Sequence, residues 1–480
     1  MKQYILRYKL SGLICILLLA GGFKALAQEK ITLQTAVDRA LANNLSIKQA
    51  RVTEDLGTLD YNQSKHNMLP SVSSNPQASY NFGRSLDFTT YQYVNNQVAF
   101  GINGNISAQI TVYQGGQLRN QIIQNKLQLD VDKTSTAKVK NDLILNVVTD
   151  YLQILTNQDL VAAAKQQIDI ANQNLDKSQI SFNVGNQTLA DLSQAKAQVS
   201  TANLNLTTAQ NQLDLTILIL KQYMEMDPTK DIVVEKPDIS KLTDIRTIYD
   251  ATEVIKTALT VNPDVQLAEL QQKTSAQAIE VAKGNYYPTV SLFGSLGSNY
   301  SNLQKTELTG STSTTIPIGT VQGTNQVVVA PVNQPIYAPY SAFSQIGNNF
   351  NQAIGVSMQI PIFNKFLAHT SVKRAQLNYQ TAELNTQIAK NNLSKTIIQA
   401  VLDLQSAEKQ YQSSLQTFQA NKDALNVTKQ RYDVGLVNSL DYNTAVTNFN
   451  KSQNDMIEAR YSVVFRSKII DYYLGNPITL

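Results

Sequence analysis

Residues 182–195, FNVGNQTLADLSQA, recur 250 positions later as YDVGLVNSLDYNTA, residues 432–445. In both copies an aromatic residue stands two positions before Val-Gly, and an aspartate, Asp191 or Asp441, follows the glycine by six positions. Glycine suits the left-handed backbone just past a helix end, and a carboxylate is favourable in the first turn of a helix. Each copy therefore predicts a tight turn between two helices, over residues 184–191 and 434–441.

Apolar residues flank both turns at a constant spacing of seven. Before the turns the two series are Val147, Ile154, Val161, Ile168, Leu175 and Phe182, and Ile397, Leu404, Tyr411, Phe418, Leu425 and Tyr432. After the turns they are Leu192, Val199, Leu206, Leu213 and Leu220, and Tyr442, Phe449, Met456, Val463 and Ile470. A strict heptad keeps one helix face against a partner helix. The spacing predicts two long coiled-coil helical hairpins, residues 117–226 and 366–474.

A different pattern, with a period of two, precedes each hairpin. In VAFGINGNISAQITV, residues 98–112, the even positions are mostly apolar and the odd positions are small or polar. This run exceeds the usual strand length of soluble proteins and suits a tilted membrane strand, apolar toward lipid and polar toward a lumen. The predicted strands are about 70–85, 97–113, 288–300 and 349–362. Residues 301–347 between the last two are predicted to form a polar, mobile, solvent-exposed loop.

The two patterns describe an internally duplicated chain. Residues 1–27 combine a basic start, an apolar run and Ala-Leu-Ala, as in a secretory signal peptide. The predicted organisation is a signal peptide at 1–27, a first repeat at 28–227, a linker or equatorial region at 228–250 and a second repeat at 251–480.

Composition argues against catalysis and against nucleic-acid binding. Without residues 1–27 the chain has 36 basic and 36 acidic residues, and its one cysteine, Cys15, lies in the removed segment. The two histidines, His66 and His369, are far apart in sequence, and there is no Gly-rich phosphate loop. An enzyme would need a nucleophile or metal constellation. We expect no enzymatic activity, no cofactor, no metal site and no nucleic-acid partner.

Four strands cannot cross a membrane alone, because open sheet edges leave backbone groups unpaired in lipid. Two chains would supply eight strands, whose interior is normally filled by side chains, whereas three chains supply twelve strands and a wider lumen. The expected fold class is therefore an α+β membrane protein, with a transmembrane β-barrel of four strands per chain and twelve in a trimer.

Several short motifs, in the same order in both halves, carry a family resemblance. They are the two [FY]-x-V-G-x-x-x-x-x-D turns, ALTVNPDV at 258–265, ITVYQGG at 110–116 and IPIF at 360–363. The chain resembles the TolC-like outer-membrane efflux proteins over essentially its whole mature length. The resemblance implies a homotrimer in the outer membrane of a Gram-negative bacterium, with the barrel continued by a periplasmic α-helical coiled-coil barrel. It also implies a periplasmic adaptor (membrane fusion) protein and an inner-membrane RND or ABC transporter as partners, besides outer-membrane lipid.

The same resemblance assigns gate residues at the helical turns. Asp191 and Asp441 match aspartates that narrow the periplasmic end of the pore, and Tyr432 matches an aromatic residue that helps to hold it closed. Val437 stands where the family's best-known member has a gate arginine, and Thr444 where it has a second ring aspartate. We therefore expect a less acidic constriction.

The turn tips are expected to dock the adaptor, through Val184, Gly185, Val434 and Gly435. The copies differ where Gln187 of the first turn is replaced by Val437 of the second, and where Phe182 is replaced by Tyr432. We expect these differences to set the behaviour of the gate.

Three alternatives to an efflux duct are compatible with parts of the pattern. A structural trimeric coiled coil explains the heptads but not the strands, and a general porin explains the strands but not the long helices. The outer-membrane component of type I protein secretion would share the whole architecture. The sequence does not name the cargo.

Overall fold

The structure, a computed structural model, describes residues 29–87, 92–237 and 248–476. The predicted signal peptide and positions 238–247 of the predicted linker lie outside the described residues. The chain divides into two compact units. The helical unit comprises the described residues up to Leu56, Asp130–Gln271 and the chain from Glu383 onward, and the strand unit comprises Gly57–Leu129 and Gln272–Ala382.

Two pairs of long helices carry the heptad series. In chain order the helices are α1 (Leu33–Asn43), α2 (Leu45–His66), α3 (Gln117–Asn183), α4 (Leu189–Tyr223), α5 (Ala251–Val261), α6 (Pro263–Lys283), α7 (Ala342–Asn348), α8 (Leu367–Asp433) and α9 (Ser439–Tyr473). Each hairpin joins a helix of 67 residues to one of 35 residues. Over the described part of the chain, no helix is both long enough and apolar enough to cross a membrane.

The strands of the described residues form three separate sheets. They are β1 (Glu29–Ile31), β2 (Ser71–Ser74), β3 (Gln77–Asp87), β4 (Gln92–Gln114), β5 (Ile232–Val234), β6 (Thr289–Ser301), β7 (Lys305–Thr320), β8 (Val327–Pro339) and β9 (Asn351–Gln359). In the main sheet β2 and β3 both pair with β4, which pairs with β6, which pairs with β9, all antiparallel. β2 and β3 lie one after the other along the same side of β4, and Pro76, which has no N–H donor, lies in the break between them.

The register of the main sheet separates apolar from polar side chains. One row across three strands is Ile110, Leu292 and Val356. The opposite face of the sheet carries polar pairs such as Asn103 with Asn299. Side chains alternate between the two faces of a strand, so the period of two in the sequence becomes one apolar face and one polar face.

The expectation of a loop over residues 301–347 was wrong. Most of this segment is the antiparallel β7–β8 hairpin, followed by the short helix α7. Thr in β7 and Val in β8 favour strands, and the turn signals Gly323 and Asn325 fall between the strands with positive φ. The polar composition of the segment suggested a loop instead.

The core of the helical unit is built from the heptad positions, all of which are buried or half-buried. Val147, Ile154, Ile397 and Leu404 are fully buried. The predicted linker also contributes, because β5 pairs in parallel with β1. The Tyr151 hydroxyl lies 2.6 Å from the carbonyl oxygen of Glu235 and 3.2 Å from that of Ile31, so it binds both strands to α3.

Candidate functional site: the paired helical turns

The two turns between the long helices share one backbone hydrogen-bond pattern. In the first turn the N–H groups of Gly185 and Asn186 donate to carbonyls in the last turn of α3. In the second turn Gly435 and Leu436 do the same in α8, with N–O distances of 2.8–3.1 Å in all four bonds. The φ angles of the glycines are 80° and 77°, in the left-handed region. The repeated Val-Gly pair thus ends each long helix in a Schellman motif.

The helices that follow are capped differently in the two copies. Thr188 Oγ1 accepts from the Asp191 N–H at 3.2 Å, and Asp191 Oδ2 accepts from the Thr188 N–H at 3.1 Å, which is a reciprocal capping box. In the second copy Asn438 Oδ1 accepts from the Asp441 N–H at 2.8 Å. The Asp441 carboxylate is exposed and makes no hydrogen bond to any residue that the structure describes. Only one of the two aspartates is therefore held in place by its own turn.

Side-chain hydrogen bonds connect the first turn to the second. The Ser439 hydroxyl donates to Asp191 Oδ1. Gln187 Nε2 donates to the Tyr432 hydroxyl oxygen at 2.9 Å. Both bonds join residues about 245 positions apart in sequence, so they bind one repeat to the other.

A cation from the first hairpin completes this connection. Lys177 Nζ lies 2.6 Å from Asp433 Oδ1 and 4.5 Å from the centre of the Tyr432 ring. Tyr432 also stacks on Tyr442, with ring centres 4.7 Å apart and ring planes within 6° of parallel. We call the three contacts Lys177–Asp433, Gln187–Tyr432 and Asp191–Ser439 the latch.

Hydrogen bonds keep Asp191 of the latch ionised. Hydrogen bonds from Ser439 and Thr188 lower the pKa of Asp191 below its ordinary value, because they stabilise the carboxylate. Burial, and then the negative charge of Asp433, raise the pKa of Tyr442. At neutral pH the latch therefore consists of one carboxylate bonded to neutral donors and one lysine–aspartate ion pair over a neutral aromatic stack.

The structure brings together some of the residues predicted for the gate. Asp191 and Tyr432 both belong to the latch, whereas Asp441 and Thr444 do not. Thr444 is exposed and donates to the Leu440 carbonyl of its own helix at 2.8 Å. Val437 is half-buried against the aromatic cluster that contains Tyr432. A role for these residues at a pore constriction stays a prediction.

Sequence reasoning missed Lys177, Asp433 and Ser439 and noticed Gln187 only as a difference between copies. For Lys177, Gln187 and Ser439, but not for Asp433, the signal in the sequence is asymmetry across the repeat. The positions 250 residues away from Lys177, Gln187 and Ser439 hold apolar side chains: Val427, Val437 and Leu189. Each of these three polar residues makes a contact with the other copy.

The tips of the turns expose apolar side chains. Five of them, between 64% and 72% exposed, are Val184, Leu189, Val434, Leu436 and Leu440. An exposed apolar patch of this kind is typical of a protein–protein contact. Above the tips, an open groove of about 630 Å³ between α4 and α9 is lined mainly by Asn, Gln, Thr and Ala side chains. Across the described residues, no group of three or more His, Cys, Asp or Glu side chains is arranged to hold a metal ion.

Comparison with known proteins places this architecture among outer-membrane export proteins. Outer membrane protein TolC of Escherichia coli (strain K12) is 22% identical over 475 residues, which cover 96% of this chain and 86% of TolC. Toxin and drug export protein A of Aggregatibacter actinomycetemcomitans is 20% identical, over 90% of this chain and 83% of that protein. The crystal structure of the outer membrane protein VceC of Vibrio cholerae superposes with a TM-score of 0.72 at 15% identity, and covers 92% of this chain and 96% of VceC.

The fold and the outer-membrane location follow from a match that spans most of the chain. The model of the family described as Outer membrane efflux protein matches residues 36–224 and 254–476, one segment for each repeat. The two segments reproduce the internal duplication read from the twin turns. The chain belongs to the outer membrane efflux protein family, and efflux across the outer membrane is its class of function.

Proposed function

We propose that the chain is the exit duct of a tripartite export system and that it works as a homotrimer. The observation that carries the proposal is the main sheet of the strand unit, which has open edges along β9 and along the row of β2 and β3. Unpaired backbone groups at such edges are costly in lipid. Pairing β9 of one copy with β2 and β3 of the next removes every open edge once the ring of copies closes.

The faces of the sheet support three copies in a membrane. The apolar face, with pairs such as Ile106 and Leu296, meets outer-membrane lipid, and the polar face, with pairs such as Ser107 and Ser295, lines the lumen. Two copies would form an eight-stranded barrel with little free space, whereas three copies form a twelve-stranded barrel with an open lumen.

The helical unit presents matching apolar faces to neighbouring copies. On α8 and on α4, exposed apolar residues recur at helical spacing. They are Leu384, Ile388, Ile398 and Leu402 on α8, and Leu204, Leu215 and Leu218 on α4. Two different faces of one chain that meet between copies form a heterologous interface, which closes into a ring when the rotation allows it.

The latch is the proposed resting lock of the duct. It binds the turn of one hairpin to the turn of the other within each chain, so separating the hairpins requires breaking it. Asp441, whose carboxylate has no partner among the described residues, supplies one exposed negative charge per copy at the same end. A ring of three such charges focuses the field on cations. We expect Asp441→Asn to reduce cation preference in a planar bilayer under a salt gradient, and an unchanged reversal potential would contradict this role.

The exposed turn tips are the proposed docking site for a periplasmic adaptor protein, which in turn engages an inner-membrane transporter of the RND or ABC class. Val434 and Leu436 form the apolar centre of one tip, and burying such side chains at a contact is favourable. Leu436→Asp should abolish adaptor binding in a pull-down with the adaptor encoded beside it or co-purified with it. Gln416→Asp, which places the same charge at an exposed position on α8, is the matched control.

The proposal is tested with purified full-length protein in detergent. Light scattering should give the mass of three chains, and planar bilayers should show discrete conductance steps. A monomer would refute the proposed homotrimer, and a trimer that does not conduct even when the latch is removed by Lys177→Met, Tyr432→Phe and Ser439→Ala would refute the proposed duct. A conducting trimer whose adaptor binding survives Leu436→Asp would retain the duct and remove the docking site.

A further inference from the structure

The two repeats hold a short helix against a long helix by the same hydrogen bond. In the first repeat the Thr136 hydroxyl, on α3, donates to the Ala50 carbonyl of α2 at 3.3 Å. In the second repeat the Thr386 hydroxyl, on α8, donates to the Ala268 carbonyl of α6 at 3.1 Å. The two threonines are 250 positions apart in sequence and the two alanines are 218 positions apart. An offset of 250 for the long helices and of 218 for the short ones therefore relates equivalent positions of the folded repeats.

The long helix of the first repeat also contacts the short helix of the second. In the helical unit the Lys138 ammonium of α3 forms an ion pair with the Asp264 carboxylate of α6. In the strand unit Gln277 Nε2 of α6 donates to Asn120 Oδ1 of α3 at 3.1 Å. The side chains along this contact are half-buried: Leu127, Thr134 and Lys138 on α3, and Pro263, Leu270, Thr274 and Gln277 on α6. The first and second repeats of one chain therefore meet along a seam of α3 with α6 whose direct contacts are polar.

The equivalent positions on the other two helices are exposed and apolar. Those on α8, which are 52–58% exposed, are Leu377, Leu384 and Ile388. Those on α2, which are 56–63% exposed, are Leu45, Val52, Leu56 and Leu59. Successive members of each set are three, four or seven positions apart, so each set forms one stripe along its helix. We call them the α8 stripe and the α2 stripe.

The repeat predicts what covers these stripes. In a ring of copies the second repeat of one chain is followed by the first repeat of the next. Because α3 contacts the α6 of the repeat that follows it, the equivalent contact places α8 against α2 of the next copy. The main sheet obeys the same rule, since β4 pairs with β6 within the chain and the proposed ring pairs β9 with β2 and β3 of the next copy. Position 388 corresponds to Lys138 and position 46 to Asp264.

A second contact between the repeats predicts the neighbour of α8 further along the helix. The Tyr472 hydroxyl of α9 donates to Asp142 Oδ1 of α3 at 3.4 Å. The equivalent residues are Gln222 of α4 and Asn392 of α8, and both are exposed. The end of α4 in the next copy is therefore expected beside α8 as well, in agreement with the exposed apolar residues of α4.

We propose that the α8 stripe of each copy packs against the α2 stripe of the next, in the way that α3 packs against α6 within the chain. This inference rests on the proposed homotrimer. The six seams of the ring then alternate, three polar seams within chains and three apolar seams between chains. Permanent interfaces between subunits are richer in apolar side chains than transient ones, so the apolar seams suit the contacts that hold the copies together.

Cysteine cross-linking tests the seam between copies, because the chain has no cysteine after Cys15. The double variant Ser46→Cys with Ile388→Cys places one thiol on each helix of that seam. The full-length variant in detergent is treated with a short bis-maleimide and separated on a denaturing gel. We expect linked dimers and trimers and no larger product, because a heterologous contact joins each copy to two neighbours and the ring closes at three.

Two further double variants serve as controls. Asn385 is exposed and lies about 100° around α8 from Leu384, so it is off the stripe. Linking in Ser46→Cys with Ile388→Cys should be about tenfold or more faster than in Ser46→Cys with Asn385→Cys, because only the former holds its thiols at high effective concentration. Lys138→Cys with Asp264→Cys places the thiols at the equivalent positions within one chain. This pair should react without producing linked dimers.

The outcomes separate the seam from the homotrimer. If light scattering shows a trimer but Ser46→Cys with Ile388→Cys gives no linked dimers, the proposed seam is wrong and the homotrimer stands. Linked dimers without trimers after all thiols have reacted would also overturn the seam, because they indicate a two-fold contact. A monomer would refute the homotrimer itself. If this variant does not assemble, Gln222→Cys with Asn392→Cys, at two exposed polar positions, makes the same comparison.

Discussion

Opening the latch should shift the duct from closed to open. The triple variant Lys177→Met, Tyr432→Phe and Ser439→Ala removes the ion pair, the hydroxyl acceptor of Gln187 and the donor to Asp191. The ion pair is partly exposed and contributes about 0.5 kcal/mol. Lys177 over the Tyr432 ring contributes about 0.5–1 kcal/mol. Each of the two hydrogen bonds contributes about 1 kcal/mol, so the total is about 3 kcal/mol per chain.

A change of about 3 kcal/mol per chain multiplies the ratio of open to closed latch in each chain by roughly a hundred, at about 1.4 kcal/mol per factor of ten. Single-channel recording in planar bilayers measures this ratio as the open fraction and the mean conductance. Lys429→Met is the matched control, because Lys429 is exposed on α8 and its side chain makes no hydrogen bond or ion pair with the described residues. If the triple variant and Lys429→Met gave the same open fraction while both remained trimeric, the latch would not hold the duct closed.

Acid tests one contact of the latch separately. The pKa of Asp191 is lowered in the folded protein from an ordinary value of 3.8, so the stability that its carboxylate contributes is present above pH 3.8. This contribution is lost only as the pH falls through the lowered pKa. The open fraction of the unmodified protein should therefore not respond to Asp191 between pH 7 and pH 5. A rise in that range that Asp191→Asn abolished would show that the carboxylate is protonated earlier than its hydrogen bonds imply.

Three further substitutions test the fold. At Gly435 an added Cβ would meet no atom within 4 Å, but the backbone is left-handed, so Gly435→Ala should destabilise the fold by about 1–2 kcal/mol through backbone strain alone. The control Gly347→Ala lies in helix α7, where φ is negative, and should not lower Tm measurably. Burial raises the pKa of Asp150 to about 6, and one oxygen of its carboxylate has no hydrogen-bond partner, so Asp150→Asn should raise Tm at pH 7.5. Protonation of the native carboxyl stabilises the fold as the pH falls from 6 toward 3.8, so the gain in Tm from the substitution should shrink over that range. A gain in Tm that did not change with pH would contradict the raised pKa. Gly355→Ala places a Cβ 2.6 Å from the Phe293 ring, which must move, so it should lower single-channel conductance or Tm; no change in either would show that the ring has free space.

The strands and helices follow from local patterns, but the hairpin at 301–347 does not. A heptad or a long alternation repeats one signal many times, so the long hairpins and β4 are recognisable in the sequence. β7 is rich in Thr and Ser and β8 in Val and Pro, and neither strand alternates apolar with polar side chains as β4 does. Their pairing depends on a cross-strand register that no short segment encodes.

The sequence by itself determined the duplicated plan of this protein: two Val-Gly turns, two long helical hairpins and strands with one apolar face. These features depend on the spacing of residues within a few helical turns or within one strand, and that spacing can be seen directly in the sequence. Only the tertiary structure decided the latch, since Lys177, Gln187 and Asp191 contact Asp433, Tyr432 and Ser439 across about 250 residues of chain. The physical reason is that the two turns have the same local sequence pattern, so neither turn by itself shows which residues contact the other. Their polar and apolar differences acquire a meaning only when folding places one turn against the other.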